Sequence, residues 1–453
     1  MSIVSEEQAF ELSKAVSIPL FLNMDGSVSA SSFANYCAIM SKDAYLRDRF
    51  RLNLLDGRPE VTGAYWSAER HPIRDADLEH VRRFIDLRYG INNEKNIRQA
   101  VNIAAFDRAY HPIRDTLNSL AWDGEHRLSE FLPRYLGAER SDYTTAVTRV
   151  LFSGAIQRVQ NPGIKFDYCV ILADTRQGTG KSTICQALAL DDAWYTDSIG
   201  DLGDSKKAFE AIRGKWIVEL GELMAVRKTK DIEAIKAFIT RQADVYRNPY
   251  GVYAEDYARQ CVFIGTTNRP QFLPEDKTGN RRFLPVLCDG SRQEVHPMAD
   301  FEATREYVRQ CYAEMMALGI NDLTLDRKHE TYLDSLREQA TPEDSRVGMV
   351  QEWLNNCSRD YVCTRLIWDK VFAGTQERPP QGYELRDIAD ILNLQIDGWT
   401  LFERDGQARK KKFEAPYGTQ RAWIRVAKQV ADPVADGLPT GFKSDDDDEK
   451  IPF

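Results

Sequence analysis

Residues 174–183 read "DTRQGTGKST", and the arrangement of the whole chain turns on them. A phosphate-binding loop has the pattern G-x-x-x-x-G-K-[ST]. Gly180, Lys181 and Ser182 supply its end, while Thr175 stands where the first glycine belongs. Such a loop works between a buried strand and a helix, so that backbone N–H groups and the helix dipole converge on an anion. "YCVILA" (168–173) leads in as the strand and "KSTICQALAL" (181–190) leads out with helical spacing. Gly178, Thr179, Gly180, Lys181, Ser182 and Thr183 are therefore expected to hold a nucleotide's phosphates. Lys181 would reach the β- and γ-phosphates, and the Ser182 hydroxyl would bind Mg²⁺. Thr175 lies at the loop entrance, away from the γ-phosphate, where a side chain is expected to be tolerated.

Working outward, three more short apolar runs follow: "WIVEL" (216–220), "CVFIGT" (261–266) and "FLPVL" (283–287). Apolar runs of this length alternating with helical stretches predict an α/β core with a mainly parallel sheet. "KWIVELGEL" (215–223) places Glu219 and Glu222 at the end of a strand expected beside the phosphate-loop strand. We favour Glu219 near the metal and Glu222 as the general base, with the two roles exchangeable. "FIGTTNRP" (263–270) puts Asn268 just past a strand, where it can orient an attacking water. "DKTGNRRFLPV" (276–286) presents Arg281 and Arg282, either of which can serve as an arginine finger on a neighbouring subunit's nucleotide.

On either side of this core the pattern is helical. Residues 1–140 predict a mainly helical domain. Its clearest segment, "DADLEHVRRFIDLRYGI", has Leu78, Val81, Phe84 and Ile85 on one face behind an Asp cap. Residues 141–290 form the core and open with an amphipathic helix capped by Ser141. Residues 291–345 read as a helical connector. Residues 346–430 read helix, helix, strand pair, the order of a winged helix, and 431–453 form an acidic tail. "HPIRD" occurs at 71–75 and 111–115 in unrelated surroundings, so no structural repeat is expected.

Composition narrows the class. The chain has 453 residues, 43% hydrophobic and 28% charged, and no apolar run near the roughly 20 residues that span a bilayer. The N-terminal stretch "MSIVSEEQAFELSK" lacks a basic start followed by an apolar block, so no secretory leader is expected. The eight cysteines form no C-x-x-C pair, which argues against zinc and for core positions in a reducing cytoplasm. The net charge of −9 conceals segregation. "SDDDDEK" (444–450) carries five acids, whereas residues 399–428 hold eight Lys/Arg against three acids.

Taken in order, "YHPIRDTLNSLAWDGEHRLSEFLPRYLGAE" (110–139), "NPGIKFDYCVILADTRQGTGKST", "WIVELGEL", "RNPYGVYAEDYARQCVFIGTTNR" (247–269) and "TGNRRFLPV" resemble the virulence-associated protein E family. These are ATPase and helicase-like proteins of phages, prophages and genomic islands. The resemblance covers roughly 100–430 and departs at Thr175, where the family usually has glycine. It implies an AAA+-like P-loop NTPase related to superfamily 3 helicases, with ATP and Mg²⁺ at the interfaces of a hexameric ring. Larger relatives carry an N-terminal primase. This sequence shows neither its cysteines nor its acidic cluster, which leaves a separate primase open as a partner.

A ring motor needs basic loops towards its channel, and the segment 226–259 offers Arg227, Lys228, Lys230 and Arg247 among interleaved tyrosines. Neutralised phosphates and stacked bases hold single strands without reading their sequence. Lys410, Lys411 and Lys412 suit the wing of a winged helix on duplex DNA. Three functions fit these readings: a replicative DNA helicase or translocase of a mobile element, an ATP-dependent DNA-binding or remodelling module, and an interference protein that captures a partner.

Overall fold

A computed structural model of the chain describes residues 4–199, 204–221, 229–246, 254–273, 280–341, 345–373, 378–404 and 407–426, without the side chains of 205, 229–233 and 404. The chain divides into two compact units, Met1–Pro342 and Glu343–Phe453.

The first unit begins with helices α1 (Glu6–Lys14) and α2 (Phe33–Lys42). Strands β1 (Phe50–Asn53), β2 (Arg58–Val61) and β3 (His71–Pro72) follow, then helices α3 (Asp75–Tyr89) and α4 (Glu94–Phe106). The expected helices are thus joined by a small antiparallel sheet, β1–β2–β3. Tyr36, Tyr45, Phe84 and Ile97 fill a core shared by these elements. The Asp that caps α3 is Asp77, whose Oδ2 accepts the Arg74 backbone N–H at 2.8 Å. A carboxylate one turn inside the helix satisfies the orphan donor. The two copies of "HPIRD" adopt different structures, one entering β3 and the other starting helix α5 (Pro112–Ser119).

Helices α6 (Phe131–Leu136) and α7 (Asp142–Gln160) lead into the sheet domain. Ser141 caps α7 by accepting from the Thr144 N–H at 3.1 Å. The helix is not one-sided, however: residues from Tyr143 to Val159 are buried around most of its circumference. Other helices and the sheet enclose it, so its small residues Ser153, Gly154 and Ala155 face protein rather than water.

The sheet domain contains β4 (Cys169–Ala173), α8 (Lys181–Leu188), β5 (Tyr195–Thr196), α9 (Ser205–Ile212), β6 (Ile217–Leu220), α10 (Thr229–Thr240), β7 (Ala243–Tyr246), β8 (Glu255–Ala258), β9 (Val262–Thr267), β10 (Phe283–Leu287), α11 (Phe301–Ala317) and α12 (Glu330–Ala340). Five strands pair in the order β10-β4-β9-β6-β5, all parallel. The short edge strand β5 was not foreseen. The side-chain period of two divides each strand between two cores. Val170, Leu172, Ile217 and Ile264 pack with α7, α8 and α11, while Ile171, Val218 and Phe263 pack with α9 and α10. Burial on both faces explains why these strands read as continuous apolar runs.

One expectation is corrected here. The Glu219 strand does not neighbour the phosphate-loop strand, because β9 lies between β4 and β6. Of the segment expected to offer basic loops, the described residues form helix α10 and an antiparallel pair, β7–β8. At the base of these strands Arg259 donates to both Asp244 oxygens, at 2.6 and 2.9 Å. This pair is buried, and Arg259 also lies over the Phe238 ring.

The second unit contains α13 (Ser345–Asn356), β11 (Tyr361–Val362), α14 (Thr364–Ile367), which widens into a looser turn at Trp368–Phe372, and α15 (Gly382–Leu394). Then come β12 (Trp399–Leu401), β13 (Glu403–Arg404), β14 (Gln407–Ala408), β15 (Lys410–Lys412), β16 (Thr419–Arg421) and β17 (Trp423–Arg425). A three-stranded antiparallel sheet, β11–β17–β12, covers a core of Leu354, Leu366, Ile388 and Trp423. Lys410, Lys411 and Lys412 form strand β15, which pairs with β16. The acidic tail lies outside the described residues.

Candidate nucleotide site

The loop joining β4 to α8 stands at the C-terminal edge of the parallel sheet, where an α/β fold leaves a crevice. Two of its residues, Gly178 at φ +74° and Gly180 at φ +85°, adopt left-handed backbone. Only glycine does so without strain. A Cβ at Gly180 would lie 2.3 Å from Pro297 Cγ, so the residue is excluded on two counts. Thr175 is not among the positive-φ residues, so its position makes no demand for glycine. That resolves the departure from the motif: the turn is made at Gly178 and Gly180. Asp174, buried at the strand end, accepts from the N–H groups of Arg176 at 2.8 Å and Gly290 at 3.1 Å. This carboxylate ties the loop entrance to the segment after β10 and was not singled out from the sequence.

Lys181 Nζ is mostly buried and donates to Asn268 Oδ1 at 2.8 Å, Thr179 Oγ1 at 3.2 Å and the Arg176 carbonyl at 3.3 Å. Burial lowers its pKa, opposed by the charge of Asp174 and, more weakly, of Glu219. The insertion of β9 between β4 and β6 is what carries Asn268 to the lysine.

Glu219 is 3% exposed and accepts three hydroxyls. Ser182 Oγ and Thr266 Oγ1 donate to Oε1 at 2.7 and 2.5 Å, and Tyr195 OH donates to Oε2 at 2.5 Å. Burial, and then the carboxylate it donates to, raise the Tyr195 pKa far above the phenol range, so the residue stays a donor. Tyr195 was missed in the sequence because its strand has only two residues. Thr266 lies within "FIGTTNRP", where no sequence signal connects it to Glu219.

Lys181, Ser182, Glu219, Thr266 and Asn268 line an open cleft of about 1030 Å³, together with Thr183, Asp197, Arg269, His296 and Met298. Arg281 and Arg282 do not line it. They precede β10, whose Phe283 pairs with Cys169 at the start of β4. They therefore stand at the opposite edge of the sheet from the phosphate loop, four strand steps or about 13 Å away along β10. Glu222, Arg227, Lys228 and Arg247 lie outside the described residues, and of Lys230 only the backbone, in α10, is described. Among the described residues no cluster of three or more His, Cys, Asp or Glu side chains is arranged to hold a metal ion. No helix among them is long and apolar enough to cross a membrane.

Fold and site together define a parallel α/β domain carrying a strand–phosphate-loop–helix unit at its C-terminal edge. The chain belongs to the virulence-associated protein E-like family through residues 117–342, which match that domain. Two solved A-form apo structures of the NrS-1 C-terminal region are similar to it. One, of residues 305–718, has 13% identity, a TM-score of 0.42 and coverage of 78% of this chain and 84% of its own. The other has 14% identity, a TM-score of 0.43 and coverage of 83% and 96%. No curated protein matches the chain.

Proposed function

We propose that the chain is an ATP-driven motor on DNA, a helicase or translocase that replicates a phage or other mobile element as a hexameric ring. The observation that carries the nucleotide reading is the convergence of Lys181, Ser182, Asn268 and Glu219, from three strand ends, on one crevice. The residues fit a magnesium nucleotide. Gly178 leaves open space beside the loop backbone for an anion, and the Ser182 hydroxyl and Glu219 carboxylate lie side by side. Mg²⁺ takes few protein ligands and completes its shell with phosphate and water, so an extensive carboxylate cage is not required. When bound, it neutralises charge on the β- and γ-phosphates. Lys181 moves from Asn268 to phosphate in this reading, which frees the Asn268 amide to orient water. Glu222 remains our choice of base.

The placement of Arg281 and Arg282 away from their own phosphate loop supports action on a neighbour's nucleotide and hence a ring. The order helix, strand, helix, helix, then a basic two-stranded hairpin beside a three-stranded sheet supports a winged helix in the second unit, with Lys410 and Lys412 on duplex phosphates. The hairpin β7–β8, with the α10 segment before it, is our candidate for single-strand contact. A separate primase and a cytoplasmic setting in the bacterial host complete the proposal.

Strand displacement on forked DNA, measured with ATP hydrolysis and solution mass, tests it. The basic strand β15 favours one alternative, an ATP-dependent DNA-binding or remodelling protein. DNA-stimulated hydrolysis with no displacement would select that alternative.

A further inference from the structure

The crevice has two flanks, and they differ in chemistry. On the β9–β6 side stand Asn268, Thr266 and Glu219, all polar. On the β10 side the chain returns over the phosphate loop, and from that segment only His296 and Met298 line the cleft. Pro297 between them is buried against Gly180.

The hydrogen bonds of His296 fix its tautomer. Nδ1 accepts the Met298 backbone N–H at 3.2 Å, so the proton sits on Nε2, which donates to the Gly178 carbonyl at 3.0 Å. With both ring nitrogens occupied by backbone, the imidazole offers the cleft no free polar nitrogen. Met298 is 58% exposed, unusual for a long apolar side chain beside a polar crevice. Its thioether is flexible and polarizable, which suits contact with an aromatic ring.

The geometry points to His296 and Met298 as the nucleobase wall of the site, an inference that rests on the nucleotide reading above. Ser182, Asn268 and Glu219 place the terminal phosphate on the β9–β6 flank. A triphosphate seated in the loop then directs its α-phosphate and nucleoside the opposite way, onto the β10 flank. What that flank presents is one apolar side chain and one imidazole with no free polar nitrogen, the chemistry of a stacking surface for a planar heterocycle. His296 also acts as a positioning residue by holding the Gly178 carbonyl away from the anion.

Calorimetric titration of the full chain with Mg-ATP and with magnesium tripolyphosphate separates base from phosphate. In the wild type ATP should bind more tightly than tripolyphosphate. Met298→Ala should weaken ATP by up to about tenfold, the upper range of a sulfur–aromatic contact, and leave tripolyphosphate within about twofold. Met298→Phe, which restores a large apolar side chain, should recover ATP affinity. Equal effects of Met298→Ala on both ligands, or no effect on either, would overturn the wall. Wild-type affinity no greater for ATP than for tripolyphosphate would overturn it while leaving the phosphate loop in place. Binding of neither ligand would overturn both readings.

Discussion

Tyr195 and Glu219 stand on neighbouring parallel strands, and the tyrosine hydroxyl donates to Glu219 Oε2 across 2.5 Å. The other carboxylate oxygen is occupied by Ser182 and Thr266. A buried carboxylate so fully engaged is fixed in orientation. In the absence of Tyr195 one oxygen would be left without its donor. Tyr195→Phe should therefore lower turnover by about ten- to a hundredfold, the worth of a hydrogen bond to a charged group, with a smaller change in ATP affinity. Steady-state ATPase assays paired with equilibrium nucleotide binding check this. A variant with wild-type turnover would show the contact to be structural only.

Lys181→Ala should abolish ATP hydrolysis while the melting temperature stays near that of the wild type, because among the described residues the ammonium has no buried acid as a direct partner. Thr175→Gly should be neutral, since no left-handed backbone is needed there. Gly180→Ala should lose nucleotide binding, as its Cβ meets Pro297. Full ATPase activity in the Lys181 variant would remove the loop from the mechanism.

An inactive double variant, Arg281→Ala/Arg282→Ala, mixed with inactive Lys181→Ala chains should regain ATPase activity, because a mixed ring contains some complete interfaces. Loss of a trans-acting arginine costs about 10³-fold or more, so recovery is readily seen above background. Mixed rings demonstrated by mass but lacking recovery would count against action in trans.

The three lysines of β15 should separate by strand alternation. Lys410 and Lys412 are exposed, whereas Lys411 is half-buried with Nζ 3.4 Å from the centre of the Tyr361 ring. Replacing Lys410 and Lys412 by Ala should weaken duplex binding and flatten the log–log salt dependence by about 0.9 per lost phosphate contact. Lys411→Ala should cost about 0.5–1 kcal/mol of stability and change the salt slope less. Binding titrations at several salt concentrations, with thermal melting, distinguish the two effects.

Alkaline pH should destabilise the first unit. Burial raises the pKa of Tyr65 to about 12, and those of Tyr89, Tyr110 and Tyr195 also lie above the ordinary phenol value. Above about pH 10 the unfolded chain releases phenolic protons that the folded chain keeps. The stability these groups contribute is complete below that pH and is lost as pH rises through their folded values, by up to about 1.4 kcal/mol per unit and per group. Urea unfolding between pH 8 and pH 11.5 (the span in which free phenols ionise) measures the decline. A flat profile would refute it.

How much was legible depended on range. The phosphate loop is a local object: its glycines, lysine and serine are contiguous, and the strand and helix around it carry their own periodicities. So the α/β class, the loop and the polar strand ends at Glu219 and Asn268 could be read directly. Strand order could not, because the pairing of β9 with both β4 and β6 is a contact between distant segments, and apolar runs buried on both faces look alike. That order alone delivers Asn268 to Lys181 and sends Arg281 and Arg282 to the far edge. Tyr195 and His296 belong to the same kind of knowledge. A two-residue strand and a loop after β10 have no pattern of their own, and their roles arise only because the folded sheet brings them against Glu219 and Gly178.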